Sequence, residues 1–242
     1  MHNVWIIARR EFQHYFVSPL AYAVGIFLYL VLGIVFAGNI LNGMLTGQIS
    51  PDARDVLGTM VYLLLFTTPF LTMRLIAEEA GSGTLELLMT APLRDWQLVL
   101  GKWLGAMGFL VLLLALSWLY PIVLHRMTSP GIDQGLLVSA YLGVLLMTGA
   151  IVAIGVMISS VFRNSLAAGF TTLAVIVGLW VIGLLATGLG GTSEVVRTLS
   201  FVGHLDSAFQ GVIDLADVVY YLSMTVFGLF VASHLVESRR WR

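Results

Sequence analysis

The chain has 242 residues, of which 59% are hydrophobic and 10% charged, with a mean hydropathy of +0.96 and a formal net charge of -1. Soluble domains carry about a quarter charged residues, so this composition excludes a soluble globular protein, and the lack of a basic excess gives no footing for a nucleic-acid partner. No cysteine is present, which removes disulfides, thiolate metal sites and cysteine nucleophiles.

From Asn3 to Val17 the spacing places Trp5, Ala8, Phe12 and Tyr15 or Phe16 on one side of a helix, with Arg9, Arg10, Gln13 and His14 over much of the rest. Such a segment is too polar to span and apolar enough to lie in the headgroup layer. It lacks the basic start, apolar run and small-residue site of a cleaved leader, so no cleavage is expected. Ser18-Pro19 breaks it. Apolar segments then follow at 20–41, 56–76, 104–124, 136–161, 167–189 and 218–236. About 20 residues cross ~30 Å of hydrocarbon, and backbone groups in lipid must be satisfied within the segment. The chain is therefore expected to be an all-α polytopic membrane protein, a single domain over residues 1–242 with six transmembrane helices.

The second span carries Thr67-Thr68-Pro69, where proline leaves a carbonyl unpaired and favours a kink. The interval from Arg74 to Trp103 is the most polar one between two long apolar segments. Glu78 and Glu79 close the second span, and Gly81 and Gly83 are expected to stop its helix. Thr84 to Met89 reads as a new short helix with Gly83 at its N-cap and Glu86 on its first turn, where a carboxylate is favoured. Leu85, Leu88 and Met89 share one face, and Pro92 ends the element. The third span opens on Gly101 and Gly105, four apart, which permits close helix approach. Span four has small residues at Gly149/Ala153 and Gly155/Ser159. Span five presents Thr171 and Thr172 with Gly169, Gly178 and Gly183. For the four threonines, hydrogen bonding to their own helix is the simplest expectation.

The order Glu78-Glu79, then Gly83-Thr84-Leu85-Glu86-Leu87-Leu88, then Ala91-Pro92-Leu93 resembles the cytoplasmic loop of permease subunits in ABC-2 type ATP-driven exporters. The resemblance implies an N-terminal amphipathic elbow helix at 3–17 and a coupling loop at 77–103. Its short coupling helix would dock a separate ATPase subunit through Glu78, Glu79, Gly83, Thr84, Leu85, Glu86, Leu87, Leu88 and Pro92. It also implies a second permease copy, as a homodimer, with Thr67, Thr68, Pro69, Thr171 and Thr172 along the pathway or dimer interface. The stretch 190–217 resembles the family's outer re-entrant helical hairpin, here with Phe201, His204, Asp206 and Phe209 and with Leu205 and Val212 also buried. The words His204-Leu205-Asp206 and Gln210-Gly211-Val212-Ile213-Asp214 look like the branch associated with bacterial gliding motility. ATP and magnesium are then expected in the partner ATPase, with no cofactor in this chain, in a bacterial cytoplasmic (inner) membrane.

Basic residues set the orientation. With the N-terminus inside, Arg9, Arg10, Arg74, Arg94, Lys102, Arg163, Arg239, Arg240 and Arg242 are cytoplasmic, against Arg54, Arg126 and Arg197 outside, which places both termini in the cytoplasm. The basic, tryptophan-bearing tail suits anionic lipid headgroups. No span carries the acidic residue or lysine of an ion pathway, and no phosphate-binding or hydrolase motif appears, so no catalytic residue is assigned. His204 and Asp206 offer only two metal ligands, and no metal site is expected. A non-transporting scaffold docking a soluble partner through the 77–103 loop is the alternative.

Overall fold

The computed structural model describes residues 2–46, 53–86, 93–128, 131–188 and 200–240. Among them every regular element is helical, and six helical stretches have the length and composition to cross a membrane. The surface helix α1 is His2–Tyr15. The first span is α2, Pro19–Thr46, and the second is α3, Ala53–Thr72, followed by a break and the short α4, Ala77–Ser82. The third span is α5, Asp95–Ser117, continued after a bend at Trp118 by α6, Leu119–Met127. The remaining spans are α7, Gln134–Val161, α8, Ser165–Gly188, and α10, Leu215–Arg240. Between the last two lie a 3₁₀ turn, Gly203–Leu205, and the one-turn α9, Asp206–Phe209.

The bundle is built around α7, the most enclosed of the spans, which packs against α3, α5, α8 and α10. Its small residues let the neighbours in. A Cβ at Gly155 would lie 2.2 Å from Thr72 Oγ1, so α3 approaches α7 at a distance that only glycine allows. Ends are fixed by polar side chains: Asp133 accepts from the Gly135 and Leu136 amides at the start of α7, and Asn164 accepts from Leu166 and Ala167 at the start of α8.

Four expectations are corrected. The packed face of α1 is Val4, Ala8 and Tyr15, while Trp5 is 69% exposed. The reason is that α1 lies on α5, where a Cβ at Gly101 would sit 2.8 Å from Ile7 Cβ and one at Gly105 2.5 Å from Glu11 Cβ. Ala8, Phe12 and Tyr15 of the expected side do face α5, Phe12 against Gly108, and Trp5 departs from it. Second, Asp95 to Trp103 is helix and not loop, because α5 starts well before the apolar run. Third, the second helix is interrupted at Met73–Ile76, so Glu78 and Glu79 form the first turn of α4 instead of closing the span. Gly81 lies inside α4, where a Cβ would meet the Arg163 carbonyl oxygen at 2.4 Å, and Gly83 at φ +74 is the left-handed C-cap that ends it. Fourth, Val212 is exposed, since Gly211 at φ +87 turns the chain away toward α10. Phe201 and Leu205 are buried and Phe209 is partly so, but the expected first arm of the hairpin at 190–199 lies outside the described residues.

Candidate functional site

The break after Thr72 leaves backbone groups that helix bonds no longer satisfy, and distant side chains take them up. Ser159 Oγ of α7 accepts from the Ile76 amide at 3.1 Å and the Ala77 amide at 3.0 Å, and donates to the Met73 carbonyl at 3.1 Å. One hydroxyl thus stitches both sides of the interruption to the central helix. The Leu71 carbonyl receives the Tyr15 hydroxyl of α1 at 3.1 Å, and the Tyr15 ring stacks on Phe109 of α5 with centroids 4.8 Å apart. Burial, and next the neighbouring Glu11 carboxylate, pushes the Tyr15 phenol well above its ordinary range, so it stays a donor. Within α3, Thr72 donates to the Thr68 and Pro69 carbonyls.

Beside this seam sits a buried charge cluster. Lys102 of α5 is 1% exposed, and its Nζ donates to Glu79 Oε1 of α4 at 2.9 Å and to Glu11 Oε2 of α1 at 3.3 Å. Arg10 reaches the same Glu79 oxygen at 3.3 Å. Two cations and two carboxylates balance, which is what permits an ammonium to be almost wholly enclosed. Glu79 Oε2 is buried with no partner among the described residues. The cluster ties α4 to the helix that follows it and to the sequence-distant α1. On the far side of α4, Gly81 abuts the Arg163 turn, and Arg239 of α10 donates to the Val161 and Phe162 carbonyls at 2.9 and 3.3 Å. A cavity of about 570 Å³ opens there, lined by Leu85, Glu86, Arg163 and Arg239 among others.

Of the residues singled out from the sequence, Glu79 is the hub of the cluster and Glu78 makes only an exposed pair with Arg74 at 3.8 Å. Thr84 bonds Ser82, its hydroxyl 2.9 Å from that of Ser82, and a helical turn starts over Thr84–Glu86 with Leu85 buried. Leu87, Leu88 and Pro92 lie outside the described residues. Thr67 and Thr172 bond their own helices, through Leu63 and Ala168, whereas the buried Thr68 hydroxyl has no partner among the described residues. Pro69 sits inside α3 and Thr171 is half-buried. α3 and α8 are neighbours within this one chain, joined by Trp180 against Tyr62 and Phe66 and by Phe170 against Phe70.

His204 pairs with Asp217 at 2.7 Å and not with Asp206, and Ser207 donates to the other Asp217 oxygen. Asp206 stands apart, its carboxyl pushed up by burial and then by the Asp217 charge. Missed from the sequence were Glu11, Arg10, Tyr15, Lys102, Ser159 and Arg239. Lys102, flanked by Gly101, Trp103 and Gly105 in an apolar run, carried a signal: a lysine between close-packing residues needs a carboxylate brought to it.

Six apolar spans, with a short helix stitched to them by ion pairs and backbone bonds, define an integral membrane protein. Residues 39–232 match the family described as ABC-2 family transporter protein, and the chain belongs to that family as a transport permease. It is 30% identical over 146 residues to the protein of Stutzerimonas stutzeri named "Probable ABC transporter permease protein NosY", a stretch covering 58% of this chain and 52% of that protein. The match thus spans about half the length of that relative.

Proposed function

We propose that this permease is the membrane subunit of an ATP-driven exporter, working as a pair of copies and driven by separate ATPase subunits that dock on α4 and the Thr84–Pro92 stretch. The observation that supports the reading best is the Lys102 cluster. A docking element that merely dangled from a span would deliver little motion, whereas α4 is held to α1 and α5 by Glu79 and to α7 by Ser159. Displacement of α4 would therefore reach the Thr68-Pro69 segment of α3 and the central helix together. On this reading the face bearing α4, Arg163 and Arg239 is cytoplasmic, as the distribution of basic residues favours.

The test is purification of the complex from membranes followed by reconstitution in liposomes. An ATPase subunit is expected to co-purify with the wild type and to be lost when the exposed Glu78 and Glu86 are reversed to lysine. ATP-dependent movement of a cargo that stimulates its turnover completes the assignment. Association without any such movement would instead identify a scaffold.

A further inference from the structure

Between the first two turns of α5 and the last turns of α10 runs a groove of about 620 Å³. Its floor is apolar, formed by Val99, Leu100, Val226, Leu229 and Phe230, and its rim carries Arg94, Asp95, His234 and Glu237. Arg94 is exposed and forms no ion pair among the described residues. Among the described residues Glu237 meets only the His234 ring, at 3.3 Å, with both side chains more than half exposed. Both rim charges are thus open to a ligand that lies across the groove.

The dimensions point to the bilayer. Along α10 the lining extends from Glu237 back to Val226, about 16 Å at 1.5 Å per residue, which is close to the depth of one leaflet of a ~30 Å hydrocarbon core. Trp96, exposed at the same end, has the amphipathic ring that favours the headgroup level. An acyl chain laid along the floor would therefore bring its headgroup to the rim. The rim sets Arg94 at the start of α5 across the groove from Glu237 on α10, a pairing of opposite charges that disfavours a headgroup whose only charge is a phosphate. It suits one that carries a phosphate for Arg94 and a hydrogen-bonding ammonium for Glu237. A choline headgroup has the charge but no N–H to donate.

We propose that this groove is a binding site for one glycerophospholipid with a primary-amine headgroup, of the phosphatidylethanolamine class. The full-length protein, reconstituted in nanodiscs of equal phosphatidylethanolamine, phosphatidylcholine and phosphatidylglycerol and released into detergent, is read by native mass spectrometry. The expected result is one phosphatidylethanolamine retained per chain. Arg94→Ala and Glu237→Gln each lower that retention roughly tenfold, equivalent to one charge-assisted contact, and leave the other two lipids unchanged. Both side chains are exposed, so unfolding temperatures should match the wild type; if Arg94→Ala fails to fold, Glu237→Gln and Arg94→Lys carry the test. Equal retention of the three lipids, or indifference to the variants, would overturn the site. So would a dimer that retains no phosphatidylethanolamine and gains it when dissociated to single chains, which would mark the second copy as the occupant.

Discussion

At one end of the bundle Lys102 joins Glu11 and Glu79; at the other, Asp217 joins His204 and Ser207. The first cluster bridges residues 91 and 23 positions apart on three helices, while the second closes separations of 13 and 10 between the 203–209 turns and the first turn of α10. Burial differs too: the Lys102 side chain is 2% exposed, against 15% for His204 and 18% for Asp217. Similar chemistry therefore has different reach. The Lys102 cluster fixes how three helices sit against one another, and among the described residues the Asp217 cluster ties the 203–209 turns to the start of the helix that follows them.

The sharpest way to break this contrast is Lys102→Met, which leaves two carboxylates enclosed with Arg10 alone. The expected loss is about 3–5 kcal/mol, seen as a large fall in the unfolding midpoint in detergent, with partial recovery in Lys102→Arg. An unchanged midpoint would show that the cluster does not hold the helices. Ser159→Ala removes the acceptor of two buried amides and is expected to cost about 1–3 kcal/mol. Hydrogen exchange should quicken at Ile76 and Ala77 while residues 203–209 keep their protection. His204→Ala costs about 1 kcal/mol and should reverse that pattern, loosening 203–209 without touching α4; exchange spreading to α1 would contradict a local role. Arg74→Ala breaks only the exposed pair with Glu78 and should shift stability by less than about 0.5 kcal/mol, within the error of the same unfolding measurement.

The spans were readable because a run of apolar residues long enough to cross hydrocarbon has few other fates. The interruption at Met73-Arg74-Leu75-Ile76 was not, since it contains neither glycine nor proline. It exists because Ser159, more than 80 residues away, offers its hydroxyl to the freed amides. The sequence predicts that Gly81 and Gly83 both stop the helix, with Gly83 the N-cap of the next one, yet Gly81 packs against the Arg163 turn and Gly83 is a left-handed C-cap. Only the partner surface distinguishes them. Likewise Lys102 read as one more positive charge on one face, because Glu11 belongs to a surface helix whose contact with α5 depends on which side the glycines open. Local signals named the elements, and long-range complementarity chose their faces.

The Arg239 bond to the Val161 carbonyl spans 78 residues of chain. During synthesis α7 is therefore made without this donor, and α8, the 200–214 stretch and nearly all of α10 follow before Arg239 arrives. The last described side-chain bond to that end of the most enclosed helix is thus supplied from the far end of the described chain.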